Sequence, residues 1–359
     1  VLEALVTVTK EKKWKDSYGW GLPYGVEAVP TEFVQAKLYT ELGDPPTLAA
    51  ARHYWLPELE KVACLANVEA TRLAAEGKPT EAIDVLLRWT NVCRQLADRQ
   101  MFVEARWGLS HMLQALERVR DLAYNDLRGA KAMDVTKIPG QIELVGRDSF
   151  LEMNRLQFPQ GDKIAAEQIA ARVFGPGEKL NEAAFGPTLA RLGATEYPLR
   201  LFAESARWRS AASAHADGRD TKAKVESVMR DFNTRWQLDY FDRRHATPTE
   251  YSKLEPSRFA LISRSMPDLR ELFDLRQLVS LELLGTRLSF ALVGYVNTNK
   301  SFPPQLTAIR PRWVDRIEAD PFSRDFLAGN QRRIPEYFIP MRRRVGMSAK
   351  EEPKPHEIF

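Results

Sequence analysis

The sequence predicts an all-α protein built from antiparallel helical hairpins in two layers, with minimal β structure. Three observations predict this. Apolar residues recur at steps of three and four through three successive long segments. Short turns marked by Gly and Pro separate helical segments. Strand signals are scarce, Tyr337-Phe338-Ile339 being one.

In chain order, residues 1–30 form an irregular aromatic segment. Leu2 to Trp14 fits a short helix, and Asp16 to Gly25 reads as an aromatic, glycine-rich loop. Such a loop either lines a sugar or peptide groove or lies across the body and plugs apolar gaps. Thr31, after Pro30, opens a helix from Glu32 to Leu42, which Asp44-Pro45-Pro46 breaks; Leu48 to Trp55 adds a further turn or two. Pro57 can begin the first arm of a hairpin that closes at Gly77-Lys78-Pro79. Thr80 is placed to cap the second arm, whose stripe is Ala82, Val85, Leu86, Trp89, Val92, Cys93 and Leu96. A third stripe runs through Phe102, Ala105, Leu109, Met112, Leu113, Leu116, Val119 and Ala123. Three long amphipathic helices with short turns imply a hairpin array or bundle over residues 31–128.

Periodicity then fades. Ile138 to Gly146 reads as a loop with a short strand, so residues 129–146 are expected to link two helical layers. The second layer, 147–345, contains interruptions at Phe174-Gly175-Pro176-Gly177 and Phe185-Gly186-Pro187. Helices are expected at Tyr197–Ala216, Asp220–Arg244 and Ser257–Asn299, the last broken near Met266-Pro267. In it, Leu278, Leu281, Leu284, Leu288, Ala291, Leu292 and Tyr295 define a wide buried face that Pro303-Pro304 ends. Trp313, Phe322 and Phe326 fold back over that helix. Residues 346–359 form a polar tail.

Composition bounds function. With 359 residues, 44% of them hydrophobic, a core of normal size needs neither metal nor disulfide. A net charge of +4 is small for a generic nucleic-acid binder. Leu278 to Val296 is long enough to cross a bilayer, but Glu282 and Arg287 near its middle would cost several kcal/mol in lipid; a core helix is expected. The chain starts at Val1, which is compatible with a leader or anchor removed ahead of it.

No cofactor or metal is expected, since none of the five His stands three or four residues from another His or a Cys. Gly175-Pro176-Gly177-Glu178-Lys179 lacks phosphate-loop spacing and reads as a turn, and Gly108-Leu109-Ser110-His111-Met112 lacks the second Gly of a nucleophile elbow. Cys64 and Cys93 stand at similar heights on opposite arms of the hairpin. They either form a disulfide, which fits an oxidising compartment, or serve as buried thiols. Asp315, Glu318 and Asp320 are interleaved with Arg310, Arg312, Arg316 and Arg324, as in a solvated ion-pair surface. Arg332, Arg333, Arg342, Arg343 and Arg344 form a candidate patch for phosphates, an anionic membrane face or an acidic partner.

Two segments carry a resemblance. Ala74-Ala75-Glu76-Gly77-Lys78-Pro79-Thr80-Glu81-Ala82-Ile83 resembles the turn of a tetratricopeptide-type repeat, with one unit legible. Leu288 to Tyr295, Lys300-Ser301-Phe302-Pro303-Pro304-Gln305-Leu306 and Asp320-Pro321-Phe322-Ser323 together resemble the C-terminal part of uncharacterised helical envelope proteins of planctomycete-type bacteria. The Asp-Pro-Phe segment is also similar to one in pseudopilins. Phe302-Pro303 stands where Tyr-Pro is usual, and Arg324-Asp325-Phe326 replaces a Gly-containing turn. The resemblance implies a helical body outside the cytoplasm, periplasmic or envelope-associated, and carries no activity onto these residues.

The leading functional expectation is a non-enzymatic protein-interaction or scaffold subunit of a bacterial cell-envelope assembly, with other proteins as partners and a peripheral membrane contact allowed. The alternatives are an enzyme on an α-helical scaffold with fold-assembled carboxylates, and a basic adaptor for nucleic acid or anionic lipid through Arg332 to Arg344. A cytoplasmic location is the alternative to a periplasmic or envelope-associated one.

Overall fold

The computed structural model describes residues 47–53, 55–127, 132–196, 208, 211–238 and 242–317, with backbone alone at 193–196. Among them the protein is all-α, with nine α-helices and no strand. These are α1 (Trp55–Ala75), α2 (Pro79–Ala97), α3 (Phe102–Asn125), α4 (Ile138–Leu144), α5 (Gly161–Val173), α6 (Glu182–Glu196), α7 (Gly218–Trp236), α8 (Ala260–Ser265) and α9 (Arg270–Asn299).

Helices α1 and α2 form the expected hairpin. Gly77 closes α1 in the left-handed region at φ +76°. The amide of Lys78 returns to the Leu73 carbonyl at 2.9 Å, and that of Gly77 to Ala74 at 3.0 Å, so the orphan carbonyls of the last turn are met. Pro79 supplies the first turn of α2. Thr80 does not cap: it lies inside that turn, and its hydroxyl accepts the Asp134 amide at 2.9 Å.

Helix α2 lies between α1 and α3 and is buried on more than one face, so Ile83, Leu87, Thr90 and Arg94 are covered beside the expected stripe. Gly108 of α3 meets the end of α2 at backbone distance; a Cβ there would stand 2.4 Å from the Ala97 nitrogen. Helix α9 packs along the other side of α3. A second group forms around α5, against which α6, α7 and α8 pack. One continuous core runs through both groups.

Several expectations need correction. Residues 138–144 are helical, not loop or strand, because Pro139 sits in the first turn and Ile138 and Ile142 share a buried face. Pro187 lies inside α6 rather than breaking it. The Asn181 side chain and carbonyl collect the first amides of that helix, while Pro187, its sixth residue, has no amide to offer the Ala183 carbonyl. Helix α9 ends at Asn299 as expected, although Lys300 in the left-handed region, rather than Pro303, closes it. Its buried set also differs: Leu278 is exposed, whereas Leu272, Val279, Leu283, Phe290, Val293 and Val296 are covered. By length and composition α9 could cross a membrane; here more than half of its apolar window is buried inside the protein. Trp313 does fold back on α9, its ring pressed against Gly294. Phe322, Phe326 and the Tyr337–Ile339 segment lie outside the described residues.

Candidate functional site

A cleft of about 920 Å³ opens beside α4. Its apolar lining is Pro139, Ile142 and Leu144 from α4 and Phe150 from the turn that follows; Ile142 is buried, Phe150 half-buried, and Pro139 and Leu144 are exposed. The rim carries both signs of charge, with Arg147, Arg287 and Arg316 beside Glu143, Asp148 and Asp315. Arg287 reaches across from α9 to the Asp315 carboxylate at 3.2 Å, and the Asp315 carbonyl accepts Arg310 Nε at 2.8 Å. These contacts draw the chain after α9 over the cleft's edge. Leu144, 47% exposed, is a large apolar side chain left open to solvent on this surface.

Two arginines pack near this lining, Arg94 buried and Arg276 half-buried. The Arg94 guanidinium, 1% exposed, lies over the Phe150 ring at 5.0 Å and pairs with Asp98 at 2.5 Å. Arg276 of α9 donates to the Met153 carbonyl at 3.1 Å and the Trp236 carbonyl at 2.7 Å, and stacks on the Trp236 ring at 4.4 Å. Burial pushes its pKa down to about 10, with the Arg94 charge acting in the same direction and Glu152 opposing. Arg276 therefore ties α7, α9 and the chain leading from α4 to α5.

A second polar cluster joins α1 to α3. Glu60 accepts Trp107 Nε1 at 2.8 Å and His111 Nε2 at 3.0 Å, while His111 Nδ1 faces the Trp107 carbonyl at 3.0 Å and the imidazole stacks on the indole at 3.7 Å. Burial raises the Glu60 pKa, but the hydrogen bonds from His111 and Trp107 outweigh it and the net shift is downward. His111 is accounted for as a packed, hydrogen-bonded side chain. His215 is held as the Nδ1-protonated tautomer, donating to the Ala216 carbonyl and accepting the Leu261 amide, and burial lowers its pKa.

A third cluster is buried where α3 and α5 begin. Glu104 stands 3.6 Å from His53 and 3.4 Å from Arg99, and Asp162 accepts the Phe102 amide at 2.8 Å. Burial, with Glu104 nearby, raises the Asp162 pKa to about 7 against the Phe102 hydrogen bond and the attraction of His53. Among the described residues, no group of three or more His, Cys, Asp or Glu has a metal-holding arrangement.

Of the two readings of the cysteine pair, the disulfide is not formed. Cys64 and Cys93 are free thiols, the first exposed and the second buried. Equal height on two helices does not set side-chain direction: Ala63, Ala66 and Ala70 form the inner face of α1 and turn Cys64 outward. Burial raises the Cys93 pKa well above its usual value. Arg332, Arg333, Arg342, Arg343 and Arg344 lie outside the described residues, as do Glu318, Asp320 and Arg324.

Neither the cleft nor the buried polar groups at the start of α3 and α5 were legible beforehand. Asp162 follows Phe102 by sixty residues, and a carboxylate in a first helical turn reads as ordinary capping. The one available signal for the cleft was Arg147 and Asp148 beside a short apolar segment. No family model, curated protein or solved structure matches the chain.

Proposed function

We propose that this protein is a non-enzymatic interaction or scaffold subunit, and that the cleft beside α4 receives a polypeptide segment of a partner protein. The observation that carries this reading is the cleft's lining, in which Pro139, Ile142, Leu144 and Phe150 stand together with three arginines and three carboxylates. Apolar side chains, one of them large and exposed, interspersed with charged ones suit a protein interface. Small-molecule sites enclose most of their ligand, whereas Gly140, Glu143, Leu144, Arg147, Asp148, Asp315 and Arg316 are all exposed here. A rim of both signs suits a chain carrying both signs and gives no preference for a polyanion.

The proposal includes membership of a bacterial cell-envelope assembly, which rests on the sequence resemblance alone. Crosslinked pull-downs from fractionated cells, with the natural protein and with Leu144→Glu as bait, test both parts. A discrete partner should be recovered from the envelope fraction, and its recovery should fall at least about tenfold with the variant, since one buried charge in an interface centre costs more than 1.4 kcal/mol. A protein that stays monomeric and returns no partner overturns the interaction reading; a partner recovered only from the cytoplasm overturns the location.

A further inference from the structure

We propose that His215 is an acid-sensitive clasp: as the neutral imidazole it caps the start of α8 from a distant part of the chain, and a proton taken up in mild acid breaks that cap and loosens α8 from α5 and α6. Helix α8 does not cap itself, since Phe259 before it has no polar side chain. The Phe259 carbonyl takes the amides of Ile262 at 3.0 Å and Ser263 at 3.2 Å, and the Leu261 amide goes to His215 Nε2 at 3.2 Å. The other ring nitrogen, Nδ1, donates to the Ala216 carbonyl at 2.8 Å. One residue on, the Ala216 amide donates to the Arg258 carbonyl at 2.9 Å, so the chain before α7 and the chain entering α8 are tied twice.

The surroundings favour the neutral ring. Phe185 of α6, fully buried, stands 5.0 Å from the imidazole between ring centroids, and Phe174 at the end of α5 stands 6.0 Å away. A proton on Nε2 removes the lone pair that the Leu261 amide uses, turns one N–H towards another, and sets positive charge at the positive end of a helix. The charged groups on the elements packed there are engaged elsewhere. Glu178, after α5, pairs with Lys222 of α7 at 2.7 Å, and Asp220 of α7 pairs with Arg258 at 3.2 Å. Asp217 accepts the Asp220 amide at 2.8 Å, Arg172 of α5 donates to Thr47, and Arg264 of α8 lies over the Trp208 ring at 5.2 Å. Lys179, Glu182 and Arg191 are the remaining charges before and along α6. Among the described residues none of these charges moves the titration of His215: burial lowers its pKa and the bond to the Ala216 carbonyl opposes that.

The direction follows. The folded pKa lies below the ordinary 6.5 of the unfolded chain. The clasp therefore contributes fully above about pH 6.5, and its contribution is lost as pH falls from there through the folded value. What acid releases is a joint. Ala260, Leu261 and Ile262 are the buried residues by which α8 packs on α5 and α6, and through Met266 and Leu269, also buried, the chain passes on into α9.

Hydrogen exchange of the whole chain at about pH 7.5 and about pH 5, corrected for intrinsic rates, tests this. Peptides covering 258–266 should lose at least about threefold protection at the lower pH while peptides from α2 hold constant. His215→Gln offers an oxygen to the Leu261 amide and takes up no proton, so it should abolish the pH dependence. If that variant does not fold, nitrogen-15 spectra of the natural protein labelled at histidine should show, at about pH 7.5, an imidazole protonated on Nδ1 that gains its charge only below about pH 6.5. Protection that is independent of pH, that changes equally in α2, or that keeps its pH dependence in the variant overturns the clasp, as does the absence of such an imidazole.

Discussion

Asn297 donates through Nδ2 to Asp126 Oδ2 at 3.1 Å, with both side chains buried, and so binds the end of α9 to the end of α3. The other carboxylate oxygen accepts the amides of Ala132 at 2.6 Å and Met133 at 3.0 Å. One carboxylate therefore organises the departure from α3 and its contact with α9. Asn297→Ala removes a donor from a buried anion and should cost about 2 kcal/mol, within the usual range for such a loss. Denaturant unfolding reads this directly; a change below about 0.5 kcal/mol would show that Asp126 does not depend on Asn297.

Arg235, 6% exposed, holds the chain after α7. It donates to the carbonyls of Arg244, Thr247 and Pro248, to the Thr247 hydroxyl and to Asp231. Lysine keeps the charge but cannot place so many donors in one plane. Arg235→Lys should destabilise by about 2 kcal/mol and bring proteolytic cleavage within residues 242–249. Unchanged resistance in that loop would count against this role.

Gly108 and Gly140 make a paired test. At Gly108 a Cβ would stand 2.6 Å from the Cys93 carbonyl and 2.4 Å from the Ala97 nitrogen, and backbone cannot step aside as a side-chain tip can. Gly108→Ala should cost about 3 kcal/mol or more, the upper end of overpacking. At Gly140, helical and open on all sides, Gly140→Ala should stabilise by about 0.5 kcal/mol or leave stability unchanged. Similar melting temperatures for the two variants would contradict the close α2–α3 approach.

Acid should weaken the region after α7. Hydrogen bonds from Lys224 and Lys253 hold Glu250 at about 2, below its ordinary 4.5. A depressed carboxylate lends its stability fully above the unfolded value and loses it as pH falls towards 2. The melting temperature should drop between about pH 4.5 and about pH 2.5, and Glu250→Gln should flatten that slope. An equal slope in both proteins would assign the acid loss elsewhere.

Thiol labelling checks the cysteine assignment. Under native conditions Cys64 should react promptly with a maleimide and Cys93 only after unfolding, because burial both hides Cys93 and disfavours its thiolate. Two unreactive thiols in the natural protein, released by reductant, would restore the disulfide.

The hairpin was legible because its determinants are local. Gly77 supplies φ +76°, Pro79 a fixed first turn, and the stripe from Ala82 to Leu96 a continuous apolar face. The same logic marked the α3 stripe, the break before α9 and the return of Trp313. It failed where position overrides propensity. Residues 138–144 are too few to display a helical period, and α6 continues through Pro187 despite the bond that a proline forfeits there. The face of α9 was misjudged because that helix is covered on more than one side, which blurs any single stripe.

What the linear chain decided by itself is its helical class, the α1–α2 turn and most of the apolar faces, since these follow from backbone preference and from spacing over a few residues. Tertiary packing alone decided which way Cys64 points, which carboxylates are buried beside which cations, and where α4 and α9 leave a charged-rimmed cleft. Those relations join residues many positions apart, and their energies depend on burial and direction, which exist only once the helices have met.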